Sequence, residues 1–387
     1  MQLVGMSPIH TMTEVVLMDA VEEPLAESLL EQSPVLNTYL VFEIVSDDLA
    51  LGLGTDPSLD APTQRLRRQL LTGFNTAAMR ALSQETPASS ILLADLRPDA
   101  DRIAYGRHML NGPAYSRLID AYSDHCGQLV SAEVSKSLWP LLVGNLTAAR
   151  NVLSATRNLR YGAEMNRYLI GRYSGVNHLI GAAAIDGLAE RLDHSVDSVS
   201  VAATLGYYIA FLLERPEYGS LVSDEVEPIL FQALRECARL VRLLNDIGPA
   251  LLETSRYRDD LSERIARAEG GGDAPFSAVL AGVCAGEKTT TRLEKDLLHG
   301  ETNVALHGLQ ALPASQAAPR FVEALDFYAH VYAQAEQSLI TSCNELDAIT
   351  GRVDASSIIL RFYEFHNAMY GASFTDAGGE YSGVPFG

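Results

Sequence analysis

The sequence predicts an all-α protein, a single large helical bundle over residues 1–370 followed by a tail, 371–387. Apolar residues recur at three- and four-residue intervals over most of the chain, the period of a helix with one buried face. Alternating strand patterns are absent apart from one short candidate, Ser90–Leu93. Stretches rich in Gly, Pro, Asp or Ser separate the periodic segments.

Leu36–Leu53 is the first predicted helix, and Gly54–Pro62 breaks it. Gln64–Leu82 follows and stops before Glu85–Ser89. Tyr115–Leu138 and Leu141–Leu153 carry the same period, as does Ala163–Leu192. Val199–Leu213 is the most apolar, and Arg215–Gly219 ends it. Glu227–Thr254 is read as one helix, with breaks downstream at Gly270–Pro275 and Leu312–Pro319. Arg320–Leu346 closes the series. The Gly-rich, aromatic stretch Gly371–Gly387 is read as a disordered tail or a flap over a pocket.

The 387 residues, 47% hydrophobic and 20% charged, suffice for one large core. A formal charge of −20, from 49 acids against 29 bases, argues against binding to nucleic acid or to an anionic membrane surface. It leaves room for a phosphorylated substrate, because divalent metals bridge carboxylates to phosphate. The four cysteines are scattered and form no CxxC pair, so a disulfide framework or zinc site is not expected and a reducing cytoplasm is the default. The N-terminus lacks the basic flank and apolar core of a signal peptide, and Val201–Leu213, the longest apolar run, is too short for a membrane span. A homodimer is compatible with the sequence, which leaves the oligomeric state open.

The strongest constellation is VRLLNDIGPALLET, Val241–Thr254. Asn245 and Glu253 are eight residues apart, so on a continuous helix they lie about 80° apart around the axis and share a face. An amide oxygen and a carboxylate so placed suit one hard cation; a buried helix with a polar pair is the competing interpretation. Other chemistries lack their patterns. No His stands three residues after a Glu, and HExxH and Walker loops are absent. The local clusters His125-Cys126 and Glu364/His366 carry no metal spacing.

The string LLNDIGPALLE resembles the second metal-binding motif of class I terpene synthases, N-D-x-x-S/T-x-x-x-E. The resemblance implies an isoprenoid-synthase bundle in which Asn245 and Glu253 bind Mg²⁺ at a prenyl diphosphate of C15 or C20. Asp246 and Ile247 match the usual flanks, while Pro249 stands at the Ser/Thr position and supplies no hydroxyl. The aspartate-rich half is assigned to Asp47 and Asp48, at the end of a helix carrying Tyr39 and Phe42. Leu51 stands where that pattern wants a third acid, and Glu43 or Asp56 is the candidate substitute. Asp95/Asp99 and Asp120/Asp124 are weaker rivals, the second pair on a helix with Glu133.

Between the halves, NRYLIGRYSG is similar to the family's broken helix, which makes Arg172 the donor to diphosphate and Ser174-Gly175 the break. Arg256, Arg258, Arg361 and Tyr363 are the candidates for pairing with diphosphate as a lid closes, with Arg320 a weaker one. Asp259-Asp260-x-x-Glu263 has the look of an acidic motif, but its mixed charges suit a solvated helix face. The implied chemistry is Mg²⁺-assisted ionisation of the prenyl diphosphate, with aromatic faces at Tyr39, Phe42 and Tyr173 beside the allylic cation. Two alternatives stand beside it: an enzyme joining prenyl diphosphates, of the squalene or phytoene synthase kind, and a non-catalytic helical scaffold.

Overall fold

The computed structural model describes residues 6–50, 61–102, 139–181, 187–215, 218, 225–268, 274–299 and 302–371. Among them the chain is all-α; the only β contact is an isolated bridge, Pro275 to Pro313. In chain order the helices are α1 (Met6–Ala20), α2 (Glu23–Leu30), α3 (Ser33–Ala50), α4 (Ala61–Ser83), α5 (Ser89–Leu92), α6 (Arg97–Arg102), α7 (Trp139–Thr156), α8 (Gly162–Gly181) and α9 (Leu188–Ser198). They continue with α10 (Val201–Leu213), α11 (Val226–Asp246), α12 (Pro249–Glu253), α13 (Ser255–Ala268), α14 (Phe276–Cys284), α15 (Thr291–His299), α16 (Ala314–Thr350) and α17 (Asp354–Gly371). No single described helix is long and apolar enough to cross a membrane. The helices sort into two compact units, the first spanning Met1–Ile180 with Ala203–Gly219 and the second Gly181–Ala202 with Ser220–Gly387.

In the first unit α3 packs along α7, and α4 lies against α7. The approach of α3 and α7 needs a glycine, because a Cβ at Gly144 would overlap the Phe42 ring. Apolar on every side, α10 is buried accordingly, with Leu205, Tyr207, Ile209, Ala210 and Leu212 shielded from water. Each large side chain so buried contributes roughly 2 kcal/mol through the area removed from water. The Tyr207 hydroxyl donates to the Gln32 carbonyl at 2.8 Å, which satisfies its one polar group.

In the second unit α11 lies along α16, and α17 packs on both. The core face of α16 reads Phe321, Leu325, Tyr328, Tyr332, Ala335, Leu339, Cys343 and Leu346, steps of three and four that hold one stripe against α11. Gly351, at φ +66°, ends this helix in the left-handed conformation, its N–H on the Asp347 carbonyl at 2.8 Å.

Five sequence expectations are corrected. The break expected at Ser174-Gly175 does not occur, since α8 runs unbroken from Gly162 to Gly181. Ser90–Leu93 is no strand, since Ser89–Leu92 forms a helical turn. The predicted break Leu312–Pro319 is shorter than drawn; α16 starts at Ala314 and carries Pro319 inside it, where the missing N–H removes a single helical bond near the end. Ala163–Leu192 is two helices, α8 and α9. Glu227–Thr254 is interrupted, because α11 ends at Asp246 and α12 begins at Pro249. Periodicity does not anticipate helices α1, α2, α14, α15 and α17. Tyr115–Leu138, the rival pair Asp120/Asp124 and the tail beyond Gly371 lie outside the described residues.

Gly248 makes the interruption. It is buried at φ +88° and ψ 152°, a backbone region essentially closed to side chains, and a Cβ there would stand 3.2 Å from Arg292 Cγ. Gly248→Ala is therefore expected to lower stability by about 2–3 kcal/mol. Gly351→Ala faces open space at an ordinary left-handed φ and should lose only about 1 kcal/mol. Urea unfolding of both variants checks the order, and equal midpoints would show that the backbone at Gly248 relaxes freely.

Candidate functional site

The second unit gathers its polar groups where α11 stops. Asn245 occupies the last turn of α11, half-buried, and α15 brings Arg292 onto it. The Arg292 Nε–H donates to the Asn245 carbonyl at 2.7 Å, and its Nη2 donates to Asn245 Oδ1. The guanidinium carbon stands 4.7 Å from the centre of the Tyr370 ring on α17, within the range of a cation–π contact. A cation at this point also meets the unsatisfied carbonyl end of α11 and its dipole.

Asp246, fully buried, turns the other way. Its Oδ2 pairs with Arg242 at 3.0 Å and accepts the Val304 N–H at 2.8 Å; its Oδ1 accepts the Asn245 amide at 3.1 Å. Burial pushes this carboxyl up toward its protonated form, and the Arg242 guanidinium, the Val304 N–H and the Asn245 amide oppose that push. Asn303 ties the cluster together, donating to the Asp246 carbonyl at 2.6 Å and to Asp296 Oδ2 at 2.7 Å. Lys295 Nζ stands 3.5 Å from Asp296 Oδ1. Arg292, Lys295 and Asp296 share one face of α15 by their three- and four-residue spacing.

Glu253 ends α12 and is exposed. Its Oε1 accepts the Tyr332 hydroxyl at 3.4 Å and the Asn367 amide at 3.3 Å. The Tyr332 and Tyr363 hydroxyls meet at 2.7 Å, and Tyr363 donates to Glu336 at 2.7 Å. Burial raises both phenols, so they stay protonated at neutral pH. Asn367, the partner of Glu253, and Tyr370, the partner of Arg292, are three residues apart on α17 and share a face. Pro249 packs beside Gly371 on the same helix, where a Cβ would stand 3.3 Å from its ring. Through α17, then, Asn245 and Glu253 are brought to one side of the second unit despite the broken helix between them.

The other expected site residues are placed as follows. In the first unit Arg172 is buried on α8, its Nε 2.7 Å from Glu43 Oε2 of α3. Asn145 of α7 donates to Glu43 Oε1 at 2.8 Å and accepts the Tyr173 hydroxyl at 2.6 Å. Tyr39 and Tyr173 are fully buried beside this pair, and Tyr173 meets Phe74 edge-on at 6.0 Å, so both rings are core side chains. Asp47 and Asp48 lie on α3, and their side chains are outside the described residues, as is Asp56. Arg256 is exposed, and Arg361 pairs with Glu364 at 3.3 Å. Arg258 pairs with Asp326 at 2.9 Å and caps the carbonyls of Leu251 and Leu252. Asp259, Asp260 and Glu263 are exposed on α13, as a solvated face requires. Asp95 is exposed, and Asp99 sits 3.7 Å from Arg102 on a helix rather than in a loop.

No family model, curated protein or solved structure matches this chain. What the site can do therefore has to come from its own groups. Among the described residues no three His, Cys, Asp or Glu side chains group as a metal ion would require. Asn245 Oδ1, the expected ligand, already faces a guanidinium. A divalent ion 4 Å from that charge would meet a repulsion of roughly 8 kcal/mol at an effective dielectric constant near 20. Asn245 and its neighbours do not fit Mg²⁺ in this arrangement. They fit an anion better: Arg242, Arg292 and Lys295 stand here against Asp246 and Asp296, in a chain whose formal charge is −20. Sequence spacing missed Arg292, Lys295 and Tyr370, because only the packing of α15 and α17 brings them to Asn245.

Proposed function

We propose that this chain is an enzyme of the class I terpene synthase type, which releases diphosphate from a C15 or C20 prenyl diphosphate and cyclises the resulting allylic cation with Mg²⁺ as cofactor. One observation carries the proposal. Glu253 of the motif-like string meets Asn367 of α17, and Asn245 is linked to Tyr370 of the same helix through Arg292, with Lys295 one turn along α15 from that cation. Breaking a C–O bond to diphosphate builds negative charge on the departing oxygens. Fixed guanidinium and ammonium groups in a poorly hydrated site stabilise that charge without reorganising. The ring of Tyr370 fixes the plane of Arg292, and Asn245 fixes its two contacting nitrogens. The Mg²⁺ requirement falls on Asp47 and Asp48, since the groups around Asn245 do not suit the ion.

A second reading, a non-catalytic helical scaffold, is favoured by the internal pairing of the same groups: Arg172 with Glu43, Arg242 with Asp246, and Arg258 with Asp326. Incubation with C10, C15 and C20 prenyl diphosphates and Mg²⁺, followed by mass spectrometry of the organic extract, separates the two. A cyclic hydrocarbon or alcohol is expected from the C15 or C20 substrate and should vanish in Asp47→Ala and Asn245→Ala. No product from any of the three would favour the scaffold.

A further inference from the structure

We infer that the outer face of α16 is a self-association surface, on which a second copy of this chain packs antiparallel. The two-fold axis passes between Gln337 and Ser338. None of the groups involved takes part in the proposed diphosphate chemistry, so the surface stands apart from it.

With its inner stripe packed on α11, α16 leaves the opposite side open to solvent. From Phe327 to Asn344 no exposed residue of that helix is Asp, Glu, Lys or Arg. Glu336, the one acid in the stretch, is half-buried and accepts the Tyr363 hydroxyl at 2.7 Å. A shallow, open depression of about 470 Å³ lies here, with His330, Gln334, Gln337, Ser338 and Thr341 in its lining. Two copies of a chain carrying a formal charge of −20 repel each other over most of their surfaces. A stripe nearly free of fixed charge is where they can close.

The side chains along the stripe choose the arrangement. Phe327, His330, Gln334, Gln337, Thr341, Glu345 and Ala348 follow in steps of three and four down one side of the helix. In a parallel pair Glu345 would face Glu345. The antiparallel pair sets Glu345 of each copy against His330 of the other, Gln334 against Thr341, and Phe327 against Ala348. A two-fold contact is self-complementary, so each of these pairings occurs twice. His330 is prepared for its carboxylate. The Gln334 amide nitrogen lies 2.9 Å from His330 Nε2 and can only donate, so the proton of the neutral ring sits on Nδ1, where Glu345 can accept it. A strip about 32 Å long and about 10 Å wide buries roughly 650 Å² over the two copies, which suits a weak, reversible dimer rather than a permanent one.

Sedimentation equilibrium of the full chain, from low micromolar to submillimolar concentration, is expected to show a reversible monomer–dimer equilibrium. Glu345→Lys should weaken it about tenfold or more, because the lost contact occurs twice. That change lowers the net negative charge, so general repulsion alone predicts the opposite effect. The charge swap, His330→Glu together with Glu345→Lys, should restore association. Both positions are exposed, so the urea midpoints should stay near that of the native chain. Gln337→Cys, beside the axis, should cross-link to its own copy under mild oxidation, whereas Ser255→Cys, exposed at the start of α13, should not. A monomer at every concentration would overturn the inference. So would a dimer that Glu345→Lys leaves unchanged, a swap that restores nothing, or cross-linking no faster in Gln337→Cys than in Ser255→Cys.

Discussion

Asp246→Asn is expected to destabilise the protein by about 3–5 kcal/mol, read as a large drop in the urea midpoint. The reason is what it leaves behind. Arg242 is 3% exposed and Asp246 is 0% exposed, so removing the carboxylate strands a guanidinium away from water. The introduced amide oxygen could still accept the Val304 N–H, so the loss is mostly one of charge rather than of a single hydrogen bond. A domain has only about 5–15 kcal/mol to lose, so low yield or unfolding near body temperature is the practical sign. Asn245→Ala, its sequence neighbour, removes hydrogen bonds to a partly exposed amide and should cost only about 1–2 kcal/mol. If Asp246 were a solvent-facing ligand, the two variants would be similarly mild. Equal midpoints would therefore show that the Arg242–Asp246 pair is not a buried structural pair.

Much of the fold is legible in the sequence because periodicity reports burial. The buried steps of α16 and the all-round apolar α10 are both visible as pattern, since each helix must hide a stripe or its whole surface. The break at Gly248 is written in the sequence but overridden in its reading, which runs Glu227–Thr254 as one helix. A glycine followed by proline ends helices, yet the eight-residue spacing from Asn245 to Glu253 only places them on one face if the helix runs through. The partners are not legible. Arg292 meets Asn245 across 47 residues and Arg172 meets Glu43 across more than a hundred, beyond any rule based on spacing along one helix. Glu43 and Arg172 each stand out in the sequence as a ligand, one as a spare metal carboxylate and one as a diphosphate donor. Opposite charges chosen separately as ligands for an absent molecule can also be ligands for each other, and only packing decides between those cases.

Glu43→Gln and Arg172→Met make that decision measurable. The two side chains are 5% and 6% exposed, so each single change leaves one charge buried without its counter-charge and should cost about 3 kcal/mol or more. The double variant removes both charges. After Glu43→Gln the side-chain amide oxygen can still accept the Asn145 amide, and Asn145 keeps the Tyr173 hydroxyl, so the neutral network survives. The double variant is therefore expected to be more stable than the sum of the singles predicts by about 2 kcal/mol or more. A donor to diphosphate would behave differently: Arg172→Met would leave the unfolding midpoint within about 0.5 kcal/mol of the native value while abolishing turnover. Additive singles, with no coupling between Glu43 and Arg172, would return Arg172 to the role its neighbours in NRYLIGRYSG first suggested.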